Sequence, residues 1–196
     1  MNLDYNFFKI DGKQYSPKQG RVLISEPFLS DSYFKRSIVL LTEHNDEGTV
    51  GFVLNKPVDL SVNEVLKDFP EMEANVSIGG PVGTNTIHYL HTVGQEIPNS
   101  VHVLGDIYWG GDFDSLKSLV ETGKIGNKQV RFFVGYSGWK PKQLENEISE
   151  NSWIVTELES GMIMNKRSFD SWKDVLQQLG EDYKIWINSP DSPTLN

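Results

Sequence analysis

The segment Gly135-Tyr-Ser-Gly-Trp139 sets a serine between glycines, after a predicted strand and before a predicted helix. That is the setting of a nucleophile elbow, which raises a serine oxygen on a strained strand-to-helix turn. The elbow needs one residue between the serine and the second glycine, and here Gly138 follows Ser137 directly. Two other readings fit the residues better. In one, Gly135 and Gly138 allow a tight turn while Tyr136 and Trp139 pack as anchors. In the other, backbone N–H groups at the start of the next helix hold a ligand.

A second group is Glu43-His44-Asn45-Asp46, at a predicted strand end. His44 could act as a general base near neutral pH if a carboxylate orients it. It could equally fix the loop through its ring nitrogens, and Asn45 and Asp46 are good turn formers. His88 and His91 lie three apart in a predicted strand, so they point to opposite faces and do not suit one shared metal. His102 stands apart from both. The chain contains no cysteine, which excludes disulfides, thiol nucleophiles and thiolate metal sites. No metal site or cofactor is expected.

Gly79-Gly-Pro81, followed by Val82, and Gly110-Gly-Asp112 could approach a phosphate, but neither forms a P-loop or dinucleotide fingerprint. Both read as loop punctuation. Arg36 and Lys56 are further candidates, because guanidinium recognises carboxylate or phosphate bidentately and an ammonium supplies a point charge. A structural ion pair is the plainer reading of each.

The elements that must position these residues follow from pattern. Val22-Leu-Ile24 and Ser37 to Thr42 are rich in β-branched residues and read as strands. Asn45-Asp-Glu-Gly48 is a turn signal, and with the strand Val50 to Leu54 it predicts a hairpin over 37–54 with a four- or five-residue loop, ended by Pro57. Ser61-Val-Asn-Glu64 has the form of a capping box, opening a helix whose inner face is Val62, Val65, Leu66 and Phe69. Strands are expected at Val76 to Ile78, Thr86 to His91, Ser100 to Leu104, Gln129 to Gly135 and Trp153 to Thr156. A second helix starts from Asp112 as N-cap, with Phe113, Leu116, Leu119 and Val120 inward and Gly123 beyond its end. Pro141 suits the first turn of a third, with Leu144 and Ile148 inside and Glu145, Glu147 and Glu150 outside. Ser168 opens a last one through Phe169, Trp172, Val175, Leu176 and Leu179. Paired strands with inserted helices predict α+β and a mainly antiparallel sheet. Residues 1–19 read as an arm in which Phe7 and Phe8 dock and Asp11-Gly-Lys turns; 189–196 read as a tail.

At 196 residues with a net charge of −9, the chain reads as one acidic domain, large enough for a core without staples. Its positive residues are scattered (Lys35-Arg36, Lys140, Lys142, Lys166-Arg167), which disfavours nucleic-acid binding. The longest apolar runs, such as Ile38 to Leu41, are far shorter than a membrane span, and no signal peptide is read near Met1. These features together predict a cytoplasmic protein with no membrane partner.

Several blocks, in one order, resemble the YqgE/AlgH family. They are Gly20 to Gly48, Gly51-Phe-Val-Leu-Asn-Lys-Pro57, Gly79-Gly-Pro-Val82, and Gly135-Tyr-Ser-Gly-Trp139 with Gln143-Leu-Glu145 and Trp153. The resemblance covers roughly residues 20 to 155 and implies a bacterial cytosolic protein with a branched or barrel-like sheet surrounded by about four helices. It brings no catalytic residues; members have been labelled transcriptional regulators. The leading expectation is therefore a non-enzymatic regulatory or interaction protein. Its protein or small-molecule partner would meet a surface where Arg36, His44, Asn55 and the Tyr136–Trp139 segment converge, with Lys56, Gln143 and Glu145 beside it. The alternative is a ligand-binding protein or hydrolase using His44, Ser137 and Glu145.

Overall fold

A computed structural model describes residues 15–165 and 172–190. Within them the chain builds ten strands and six short helices. The first hairpin packs β1 (Val22–Ser25), β2 (Ile38–Asn45) and β3 (Gly48–Val53) side by side, followed by β4 (Pro57–Ser61), α1 (Val62–Val65) and β5 (Asn75–Ile78). Next come β6 (Val82–His91), β7 (Val101–Leu104), β8 (Ile107–Trp109), α2 (Phe113–Glu121) and β9 (Val130–Trp139). The chain closes with α3 (Gln143–Ser149), β10 (Trp153–Thr156), α4 (Ser160–Met164), α5 (Trp172–Leu179) and α6 (Lys184–Ile187).

The strands form one open sheet in the order β10-β1-β2-β3-β9-β6-β8-β7, with β5 joined to β9 and β4 to β5. The α+β class and the branched, mainly antiparallel sheet match expectation. The sheet does not close into a barrel, and six helices are described in place of about four. Among the described residues only the β5–β9 pair is parallel.

β1 and the first half of β2 are apolar without alternation because both faces of this sheet are covered. Val22, Ile24, Ile38 and Leu40 face one core with Trp172, Val175 and Trp186 of α5 and α6. Leu23, Val39 and Leu41 face another with Leu144 of α3 and the indoles of Trp139 and Trp153. A third core lies between α1, α2 and the strands β5, β6 and β9.

β9 is where the sheet branches. One edge pairs with β6; on the other, β5 lies along Phe132–Val134 and β3 along Ser137–Trp139. The strand bends at Gly135, whose φ is +66°. A Cβ there would stand 2.7 Å from the Val82 carbonyl oxygen and 2.8 Å from that of Gly80, so the bend requires glycine. Gly135-Tyr-Ser-Gly-Trp139 is therefore strand, and the expected turn at Gly135 and Gly138 is corrected. Gly79, Gly80 and Pro81 do form the short connection from β5 to β6.

Other boundaries shift for local reasons. The hairpin loop has two residues, Asp46 and Glu47, because Asn45 pairs directly with Gly48 and its Oδ1 accepts from the Glu47 N–H at 2.8 Å. Pro57 begins β4 instead of ending the region, a place where a missing N–H is tolerated. The capping box at Ser61 and Glu64 is present, yet the α-helix it opens ends at Val65. α3 starts after Lys142, which takes the left-handed conformation. Phe7, Phe8, Asp11 to Lys13, Lys166, Arg167, Ser168, Phe169 and residues 191–196 lie outside the described residues. Among the described residues no helix is long and apolar enough to cross a membrane.

Candidate functional site

The candidate residues fall into two groups at opposite ends of the β2–β3 ladder. From Ile38 to His44 is six residue steps, roughly 20 Å of strand, so Arg36 and Asn55 do not share a surface with His44.

At the first end the residues fasten the segment before β2. Asn55 Oδ1 accepts from the Ile38 N–H at 2.9 Å, and its Nδ2 donates to the Arg36 carbonyl at 2.9 Å. Lys56 Nζ donates to the Lys35 carbonyl at 2.9 Å. Burial, and then the Lys35 ammonium, hold the Lys56 ammonium below its ordinary range. Arg36 has a φ of +50°, lies over the Trp172 ring at 5.3 Å, and donates to the carbonyls of Ser189 and Pro190 at 3.2 and 2.6 Å. It clamps residues 189–190 to the segment before β2.

At the second end the hairpin tip meets β9 and the start of β6. His44 Nδ1 lies 2.7 Å from Thr49 Oγ1, within the ladder that pairs Thr49 with Trp139. Ser137 is fully buried and its hydroxyl donates to the Gly79 carbonyl at 2.9 Å. That oxygen faces no open cleft, so it is not placed as a nucleophile. A cleft of about 520 Å³ opens beside it, lined by Glu43, Glu47, Val82, Tyr136, Gly138 and Lys140.

Trp139, which lines this cleft, is held from behind by a carboxylate that the helix pattern put outside. Glu147 Oε2 accepts from the indole N–H groups of Trp139 and Trp153 at 2.9 and 2.8 Å, while Oε1 accepts from Gln143 Nε2 at 2.9 Å. Gln143 Oε1 in turn accepts from the Lys140 N–H at 3.0 Å. Phe34 completes an aromatic cluster with the two indoles, at 5.7 and 5.4 Å between centroids. The usable signal was chemical: two buried tryptophans need acceptors, and Glu147 lies one turn from Gln143 on the same helix face. Glu147, and not Glu145, is the α3 carboxylate that reaches this region.

His88 is half-buried among Phe52, Trp109 and Tyr136, and burial lowers its pKa. His91 is fully buried, with Nε2 donating to the Gly110 carbonyl at 3.1 Å and Nδ1 without a hydrogen-bond partner among the described residues. Burial lowers its pKa more strongly than that hydrogen bond raises it. His102 is not isolated: its ring and that of His91 both pack on Tyr108, at 5.1 and 5.7 Å. Among the described residues no group of three His, Asp or Glu could hold a metal. Asp112 caps α2 by accepting from the Ser115 N–H at 2.8 Å, which fills the helix start a phosphate would need.

The AlgH-like family model matches residues 22–184. The chain belongs to the AlgH-like family. A UPF0301 protein of Bacteroides thetaiotaomicron is 41% identical over the full length of both chains. A UPF0301 protein of Cytophaga hutchinsonii is 45% identical over 91% of this chain and 98% of its own. Among solved structures, the AlgH protein of Pseudomonas aeruginosa matches with a TM-score of 0.68 at 27% identity, covering 91% of this chain and 98% of that one. A protein of Corynebacterium diphtheriae shares the fold with a TM-score of 0.76 at 23% identity, over 96% of this chain and all of that one. Three of the blocks that carry this AlgH-like chain's resemblance meet at the cleft: the hairpin tip, Gly79 to Val82 and Gly135 to Trp139.

Proposed function

We propose that this AlgH-like chain is a cytoplasmic regulatory protein that works by binding a protein partner, and that the cleft between the β2–β3 hairpin and β9 is its contact surface. The observation that carries the reading is the meeting of three distant sequence blocks on one cleft whose apolar floor is part-exposed; Val82 is 38% exposed there. A hydrolytic reading is less well supported, because Ser137 is buried and its hydroxyl already donates to a carbonyl. Regulation through a protein contact also suits a net charge of −9 better than regulation through DNA.

The test compares proteins captured from the native cytoplasm by the wild-type chain, by Val82→Arg, and by Leu60→Arg as a control. Leu60 is 45% exposed on β4 and does not line the cleft. The reading expects partners lost only in Val82→Arg, with the melting temperature unchanged. Equal capture by all three would contradict it.

A further inference from the structure

Building on the binding role proposed for this cleft, we infer that its occupant is an extended, basic segment of another protein, laid alongside β9 at Gly138. Backbone groups of successive residues in an antiparallel strand point to alternate sides. Tyr136 pairs with Val82 of β6, whereas Ser137, Gly138 and Trp139 lie opposite Gly51, Val50 and Thr49 of β3, with Gly138–Val50 lying between the two pairs whose backbone groups face each other. The Trp139 carbonyl is directed at β3, since a Cβ on Gly48 would stand 2.4 Å from its oxygen. The N–H and C=O of Gly138 therefore face the other side. There β6, which begins at Val82 opposite Tyr136, does not reach, and the chain before it comes through Pro81 from β5. Gly138 is exposed and lines the cleft. An added strand could bond to this residue, the mode by which sheet edges recognise extended peptides.

The side chains around this edge specify what the peptide must bring. Val82 and Tyr136 form an apolar floor, which suits a β-branched residue directed inward. Glu43 and Glu47 stand on the hairpin wall, with Glu43 Oε1 accepting from Asn45 Nδ2 at 2.7 Å. Two carboxylates there, in a chain of net charge −9, favour lysine or arginine at the alternate positions. Lys140 on the opposite wall gives the peptide a direction, because its ammonium suits a carbonyl and repels a second cation.

The experiment titrates the isotope-labelled full chain with two five-residue peptides at low salt, one alternating valine with arginine or lysine and one alternating valine with glutamate. Backbone amide shifts locate binding. The basic peptide should move Gly138 and Val82, and should bind about fivefold more weakly to E43Q/E47Q, the scale of two partly exposed ion pairs. The single variant Glu47→Gln, at an exposed position, should show part of that loss and guards against an altered fold. Shifts at Gly138 that are equal for both peptides, or indifferent to E43Q/E47Q, would overturn the charge assignment and leave the cleft as the contact surface. Absence of shifts at the cleft with either peptide would overturn the strand-addition inference. The Val82→Arg capture decides separately whether the cleft binds a partner at all.

Discussion

Single side chains here do more to fix the backbone than to expose chemistry. Glu147 is the clearest case, since one carboxylate oxygen receives two indole N–H groups. Glu147→Ala removes the carboxylate that accepts from both indole N–H groups in a tight aromatic cluster and should cost about 2–4 kcal/mol, read as a lower denaturant midpoint. Glu147→Gln keeps an acceptor oxygen and should cost less than half as much. Ser137→Ala removes one buried hydrogen bond and should cost about 1 kcal/mol, with partner binding unchanged; a large loss of function without loss of stability would restore the nucleophile reading. Gly135→Ala meets two carbonyl oxygens inside 3 Å at a positive φ, and should destabilise by about 2 kcal/mol or more. The histidines set a pH dependence. His88 and His91 both have folded pKa values below the ordinary 6.5, so below that pH the unfolded chain binds more protons than the folded one. Stability should be level above about pH 6.5 and fall as pH drops through the folded values. A His91→Asn variant should flatten that slope in thermal melts taken between neutral and acid pH; an unchanged slope would remove His91 as its source.

At the level of elements, local signals were legible where they were self-contained. The strand Trp153–Thr156, the Asp112 cap with its helix, and the capping box at Ser61 all stand where the residue types placed them. The failures share a cause. Two glycines within five residues, Gly135 and Gly138, look like punctuation, yet in β9 they accommodate a bend and an open strand position. Pro57 looks like a terminator, yet it heads a short edge strand. β8 has three residues, too few for any periodicity to appear. The expected convergence of Arg36, Asn55 and His44 failed although a hairpin was expected between them, since β2 runs on to Asn45 and strand rise alone separates its two ends. The meeting of the hairpin tip, Gly79–Val82 and Gly135–Trp139 depends on long-range pairing of β3, β6 and β9, which no local pattern encodes. Ser61→Ala tests the local class of signal: it should lower stability by about 1 kcal/mol, because the Glu64 N–H loses its hydroxyl acceptor.

At the scale of the whole molecule, a ten-stranded branched sheet carries the cleft between the β2–β3 hairpin and β9. Net charge of −9 and scattered cations predict no retardation of duplex DNA even at about 50 mM salt, where electrostatic binding is strong. Retardation under those conditions would favour direct DNA regulation over protein contact. The most direct test of the cleft as the contact surface is a photo-crosslinking residue placed at Val82 in the native host, compared with the same residue at Leu60. A discrete crosslinked partner from position 82, absent from position 60, is the predicted result. Crosslinks that are equal at both positions, or confined to position 60, would contradict a partner site between the hairpin and β9.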